Sequence, residues 1–244
     1  MAAGIASGFL TAILQTKMGI NSLLAGIIVN TGLYSINIAV MSGSSILNMN
    51  KTDTVFTKMA ALVKGTPVAR QSKLFVAIIA VAAVAVILGL FLKPRLGLAI
   101  RATGDNPDMV RSSSVNPAFT TIIGLCVANS FTALSGCLLA QSQRSVNIDI
   151  GTGMVTIALA SLLIGGVFLG RKKMPLRIFG MVLGAFIFRL IYTIALRFDM
   201  PAFMLKFVSS VIVIAAIATP YFKKQLPLLK RRIQTRSGRR KADA

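Results

Sequence analysis

The chain contains no histidine, no glutamate and no tryptophan, and its six acidic residues are all aspartates, at positions 53, 105, 108, 149, 199 and 242. Each absence removes a class of chemistry. Without histidine there is no imidazole to ligate zinc or act as general base near neutral pH, and without glutamate there is no Glu-based proton relay. No GxxxxGK[ST] loop occurs, so ATP is not bound by that route. The two cysteines, Cys126 and Cys137, share one apolar run. A helix sets them about 16 Å apart, beyond disulfide reach, and they read as small core residues. No metal, no cofactor and no catalytic set is expected, so the chain does not read as an enzyme.

What the chain has in quantity is apolar sequence. Of 244 residues, 55% are hydrophobic, and mean hydropathy is +0.77. Several runs approach the roughly 20 residues that a helix needs to cross a bilayer, and they do not alternate as barrel strands would. The expected fold is therefore all-α and polytopic, a transmembrane domain over 1–222 followed by a basic tail over 223–244. About seven crossings are predicted: Ala2–Gln15, Ile20–Met41, Leu74–Leu92, Ala118–Ala140, Gly151–Gly170, Leu176–Leu196 and Ala202–Phe222. The first would span only about 21 Å. The chain opens apolar at once, without the basic n-region of a cleavable signal peptide.

A formal charge of +21 would ordinarily point to nucleic acid or anionic lipid. Its distribution points elsewhere. With the polar segment Pro94–Pro117 placed in the cytoplasm, alternation assigns eighteen Lys and Arg residues to the inside and seven to the outside, leaving Arg189 and Lys206 within spans. That asymmetry follows the positive-inside rule. The charge is then topology rather than a nucleic-acid footprint, and the tail KKQLPLLKRRIQTRSGRRKADA reads as an anchor beside anionic membrane lipid. In the outer loop Ser42–Lys73, Val55, Phe56, Met59, Leu62 and Val63 recur at helical spacing. An interfacial helix capped by Thr52 or Asp53 is expected there.

The inner segment, PRLGLAIRATGDNPDMVRSSSVNP, is more ordered in its signals than a loose loop. Gly104 can end one helical stretch, Asp105 or Asn106 can cap the next, and Pro107 suits a first helical position. Within the spans three polar residues stand out: Arg189, Asn129 and Asn30. A mid-span guanidinium costs about 3 kcal/mol or more unless it is paired or reaches water. Arg189 therefore either satisfies groups such as Asp149 or Asp199 inside the bundle or lines a translocation path. Asparagines in spans, Asn37 among them, serve more often as interhelical glue. The glycines at 151, 153, 165, 166 and 170 read as sites of close helix approach.

Four stretches, RATGDNPDMV at 101–110, LSGCLLAQ at 134–141, GTGMVTIALASLLIGG at 151–166 and FRLIYTIALRFDMP at 188–201, resemble in sequence and order the membrane-spanning permease subunits of bacterial ABC importers. That superfamily includes branched-chain amino-acid and ribose permeases. The similarity is nearest to the branch linked with tryptophan- and tyrosine-type uptake, and runs from about Leu14 to Phe222. It implies a multi-pass protein of the bacterial plasma membrane. It also implies a second permease copy, a cytoplasmic ATP-binding subunit and an extracytoplasmic substrate-binding protein as partners. Arg101, Thr103, Gly104, Asp105, Asn106, Pro107, Asp108, Met109, Val110 and Arg111 would form the helix that couples the permease to its ATPase. The chain departs from the pattern in two ways. Members usually carry further apolar segments before the equivalent of Met1, so a shortened N-terminus is expected. Ser112-Ser113-Ser114 stands where similar sequences have an Ala-Leu-Gly-like stretch. The alternatives are a sugar or nucleoside permease of the same superfamily and an ion-coupled carrier. The carrier would want acids within the spans, and none of the predicted spans contains one.

Overall fold

Glycines and Asn-Pro pairs punctuate the chain into helices. The computed structural model describes residues 1–50, 52–62, 72–151, 154–169 and 174–197, with isolated positions between 207 and 218. Two compact units result, Met1–Asp149 and Ile150–Ala244.

In the first unit, α1 (Ala2–Thr16) turns into α2 (Ser22–Val40) through Gly19, whose φ of +67° requires the freedom of glycine. Asn21 caps α2, its Oδ1 accepting the Leu23 N–H at 2.9 Å. After a short strand β1 (Ile46–Asn48) come α3 (Val55–Leu62) and α4 (Ser72–Phe91). Then follow α5 (Arg95–Asp105), α6 (Pro107–Ser112), α7 (Pro117–Gln143) and β2 (Ser145–Asn147). The second unit contains α8 (Met154–Leu169) and α9 (Met174–Arg197), packed on each other.

Six of the expected crossings coincide with helices, but among the described residues four stretches are long and apolar enough to cross a membrane by themselves: Ser22–Val40, Lys73–Phe91, Pro117–Gln143 and Met174–Ala195. The helix α1 and the apolar stretch of α8 are shorter. A seventh crossing at 202–222 and the tail at 223–244 lie outside the described residues, isolated positions in the former excepted.

Close backbone approach, rather than burial of large side chains, joins these helices. On α1 the buried residues are Gly4, Gly8 and Ala12, spaced so that they form one stripe. A Cβ added to Gly4 would fall on the Asn129 carbonyl oxygen of α7, and one on Gly8 would lie 2.6 Å from that of Leu125. Rising numbers on α1 meet falling numbers on α7, so the pair is antiparallel. The same device joins α8 to α9: a Cβ on Gly165 would fall on the Gly180 carbonyl, and one on Gly184 on that of Ser161. Of the glycines expected to serve close approach, Gly165 does so, while Gly151 and Gly166 face open space and Gly153 and Gly170 lie outside the described residues. Large apolar side chains are turned outward, as with Leu23 and Val40 on α2 and Ile78, Val86 and Leu90 on α4. In hydrocarbon such a surface is the favoured one, and small residues are what let membrane helices touch.

Two features complete the end of the first unit that lies beyond the C-terminus of α7. The strands β1 and β2 pair antiparallel, Ile46 opposite Asn147 and Asn48 opposite Ser145. Strands of three residues, roughly 100 residues apart, carry no periodic signal in the sequence. The outer-loop helix is present as α3, but its cap is Thr54, not Thr52 or Asp53. Thr57 N–H donates to Thr54 Oγ1 at 3.2 Å and Thr54 N–H donates to Thr57 Oγ1 at 2.8 Å. This reciprocal box needs hydroxyls three residues apart, and threonine at 57 takes the place of the usual Glu or Gln. The helix docks through Val55 N–H, which donates to Gln141 Oε1 of α7 at 3.0 Å.

Candidate functional site

The segment between α4 and α7 folds as two helices, α5 and α6. Gly97 makes the entry tight: a Cβ there would lie 2.5 Å from the Phe91 carbonyl oxygen and the Leu92 Cα. From Gly97 onward α5 runs antiparallel along the first turns of α7. Thr103 Oγ1 lies 2.7 Å from Thr120 Oγ1, and Gly124 leaves room for Ile100. Thr120 is 1% exposed, and its hydroxyl also donates to the Pro117 carbonyl at 2.9 Å. A buried hydroxyl pair satisfied in this way ties α5 to α7.

The break between the helices falls at Asn106, with φ −156° and ψ 103°, and not at Gly104, which is helical within α5. Asn106 ends α5 and caps α6 at once, its Oδ1 accepting the N–H groups of Asp108 and Met109 at 3.0 and 3.1 Å. An extended residue followed by Pro107 explains why the helix stops here: proline disfavours helical backbone in the residue before it and suits the first helical position itself. Asn116-Pro117 repeats the device ten residues later, Asn116 Oδ1 accepting the Ala118 N–H at 3.0 Å.

The end of α6 explains the three serines. Val115 N–H donates to the Val110 carbonyl at 3.3 Å and Ser114 N–H to that of Arg111 at 3.2 Å, with Ser114 at φ 61°. This is a Schellman closure with serine in the left-handed position that glycine usually fills. The Ser112 and Ser113 hydroxyls both donate to the Met109 carbonyl, at 2.8 and 3.0 Å. The glycine of the Ala-Leu-Gly-like pattern would relieve the left-handed strain at position 114. Ser114→Gly should accordingly stabilise the protein by about 1 kcal/mol, read as a higher melting temperature of the purified protein in detergent.

The ten residues expected in this segment divide into distinct environments. Gly104, Asp105, Asn106, Pro107, Asp108 and Met109 form one continuous exposed run. Arg101 and Thr103 are half-buried on α5, Thr103 being occupied by Thr120. Val110 is 4% exposed and belongs to the interior, whereas Met109 is 60% exposed and touches no core. Arg111 and Asp108 approach to 4.0 Å while largely solvent-exposed, a pair worth little to stability. With its 27 residues, α7 is about 40 Å long. It therefore holds this exposed run at one end and the β1–β2 ladder at the other.

Each intramembrane polar residue has its own local surroundings. Asn129 donates from Nδ2 to the Leu125 carbonyl of its own helix at 3.0 Å, beside the crossing of α1. Asn30 and Asn37 are exposed on α2, with no side-chain hydrogen bond among the described residues. On α9, Arg189 is exposed, with its Cζ 6.0 Å from the centroid of the Tyr192 ring. Tyr192 in turn stacks on Phe188, which is 1% exposed, with ring centroids 6.4 Å apart. Asp199, one of its expected partners, lies outside the described residues. Sequence reasoning missed the Gly4-Gly8-Ala12 and Gly180-Gly184 stripes, although the four-residue spacing of small residues was legible. It also missed the docking role of Gln141, for which the sequence gives no signal.

Comparison with known proteins accords with this arrangement of apolar helices about a polar turn. Residues 1–217 match the family model described as the permease component of branched-chain amino acid transport systems. The tyrosine transport system permease protein of Clostridioides difficile is 31% identical over 216 residues, covering 88% of this chain and 69% of that protein. The protein RP368 of Rickettsia prowazekii is 28% identical over 67% of the chain and 55% of its own length. The autoinducer 2 import system permease protein LsrC of Yersinia enterocolitica is 23% identical over 88% of the chain. The chain spans only 56% of LsrC, and no solved structure matches significantly. With nearly its whole length matched and its apolar helices turned outward, the chain is a multi-pass protein of the bacterial plasma membrane that belongs to the family of branched-chain amino acid transport permeases.

Proposed function

We propose that the chain is the permease subunit of an ATP-driven ABC importer for amino acids, aromatic ones in particular. It works by alternating access, paired with a second permease copy, a cytoplasmic ATP-binding subunit and an extracytoplasmic substrate-binding protein. The observation that carries the reading is the exposed run Gly104–Met109, which contains the first of two Asn-Pro helix starts and is held outside the spans. Its caps satisfy the end groups of a short helix, and Met109 offers an apolar knob for a partner's cleft. Through Thr103 and Thr120, displacement of the turn is passed to α7 and, by the Gly4 and Gly8 crossing, to α1. ATP binding in the partner then biases an equilibrium between inward- and outward-open states. The 31% identity to a tyrosine transport permease supports an aromatic amino acid as cargo.

The weaker similarity to autoinducer 2 import permeases favours a second reading, a small polar cargo in the manner of the sugar permeases. Disruption of the coding sequence in its native cell separates the two. Loss of tyrosine or tryptophan uptake supports the amino-acid reading, loss of ribose uptake with tyrosine uptake intact supports the second, and uptake that persists without ATP refutes both.

A further inference from the structure

One face of α9 carries two arginines and a threonine among its apolar residues. Phe186, Arg189, Leu190, Thr193, Ile194 and Arg197, all on one face of α9, outline an open, shallow groove of about 330 Å³. Helical rotation puts Arg189 and Thr193 on the far side of α9 from Gly180 and Gly184, hence away from α8. The two arginines are eight residues apart, about 12 Å along the axis, so the cationic stripe runs inward from the end of the helix. None of the described lining residues is acidic.

The Arg189 guanidinium leans over Tyr192, which rests on the buried Phe188, a cation–π contact that favours this placement of an exposed side chain. A guanidinium flanked by apolar side chains is suited to take a carboxylate through two parallel N–H···O bonds.

We infer that this groove receives the carboxylate of the transported molecule, Arg197 meeting it near the end of α9 and Arg189 holding it deeper. The inference rests on the amino-acid reading above. Phe186, Leu190 and Ile194 supply the surface for the apolar body of such a cargo. The same oxyanion chemistry could be presented by a phospholipid phosphate, which the test separates.

The experiment uses the full chain, with Thr193→Cys and with Cys126 and Cys137 replaced by alanine, assembled with its partner subunits in nanodiscs. An anionic and a cationic methanethiosulfonate reagent of equal size probe the groove. The anionic reagent should label at least tenfold faster than the cationic one. Millimolar tyrosine should slow labelling, and tyramine, which lacks the carboxylate, should not. Arg189→Gln should erase both effects and Arg189→Lys only part of them, since an ammonium is a point charge and not a fork. In the otherwise wild-type transporter, Arg189→Gln should lower maximal tyrosine uptake about tenfold.

Absence of labelling, or labelling that tyrosine leaves unchanged in a transporter that imports tyrosine, overturns the carboxylate site while the amino-acid reading stands. Slower labelling in phosphatidylglycerol than in phosphatidylcholine, with no effect of tyrosine, assigns the groove to lipid phosphate and overturns it equally. If the wild-type system imports ribose and no amino acid, the functional reading falls and takes this inference with it.

Discussion

Gly184→Leu should abolish the pairing of α8 with α9 and leave little folded protein to extract from the membrane. The first carbon of any side chain at 184 falls on the Ser161 carbonyl, and lies 2.7 Å from the Gly165 nitrogen. Both obstacles are backbone, so no rotamer change relieves the clash and the helices must separate. Overpacking a site whose neighbours can shift costs about 1–3 kcal/mol; here the cost should reach about 3 kcal/mol or more, a large share of the total stability of an ordinary domain. Separation would also expose Phe188, the largest fully buried side chain among the described residues. Monodispersity and melting temperature in detergent provide the check, with Gly166→Ala as control, because that site has nothing within 4 Å. A Gly184→Leu protein that elutes and melts like the wild type would show that the crossing is not made as described.

The second large effect is expected at Met109. Because the side chain is 60% exposed and contributes to no core, Met109→Asp should insert and accumulate normally. If the exposed turn seats in an ATPase cleft, a desolvated carboxylate in place of the thioether should weaken that contact by at least about 1.4 kcal/mol, a tenfold loss of binding. Copurified ATPase and ATP-driven uptake should fall together. Undiminished uptake with a full complement of ATPase would remove Met109 from the contact. Asp105 and Asn106 are less discriminating targets, since Asn106 caps α6 and its loss alone costs about 1 kcal/mol of local stability.

Apolar runs of membrane length reveal helices because only internally bonded backbone survives in hydrocarbon, and α2, α4, α7 and α9 follow the sequence runs closely. The polar turn was legible for a similar reason, since Asn-Pro pairs act within three residues of themselves. What failed was long-range or one step finer. Gly104 resembled a helix terminator, but glycine within a helix costs only about 1 kcal/mol, while the Asn106-Pro107 pair just after it enforces a stop. Asp53 resembled a cap, but the hydroxyls of Thr54 and Thr57 stand at the spacing a capping box needs. The β1–β2 ladder and the Gln141 contact depend on segments brought together by the whole fold, and local pattern contains no trace of them. For the candidate site, sequence supplied the residues but not their division, and only burial separates Val110 from Met109.

The antiparallel crossing of α1 on α7 has a consequence for biogenesis. Roughly 105 residues separate Ala12 from Pro117. At ordinary rates of synthesis of about 5–20 residues per second, α1 waits about 5–20 s after leaving the ribosome before its partner exists. During that interval the Gly4 and Gly8 stripe has no helix of its own unit to receive it other than α2, which leaves α7 as the one described surface shaped to its close approach. The ladder between β1 and β2 is subject to the same delay, so the opening elements of the chain are tethered early but locked late. Assembly of this unit therefore has a fixed chronology, in which the arrival of α7 turns a string of inserted helices into a joined body.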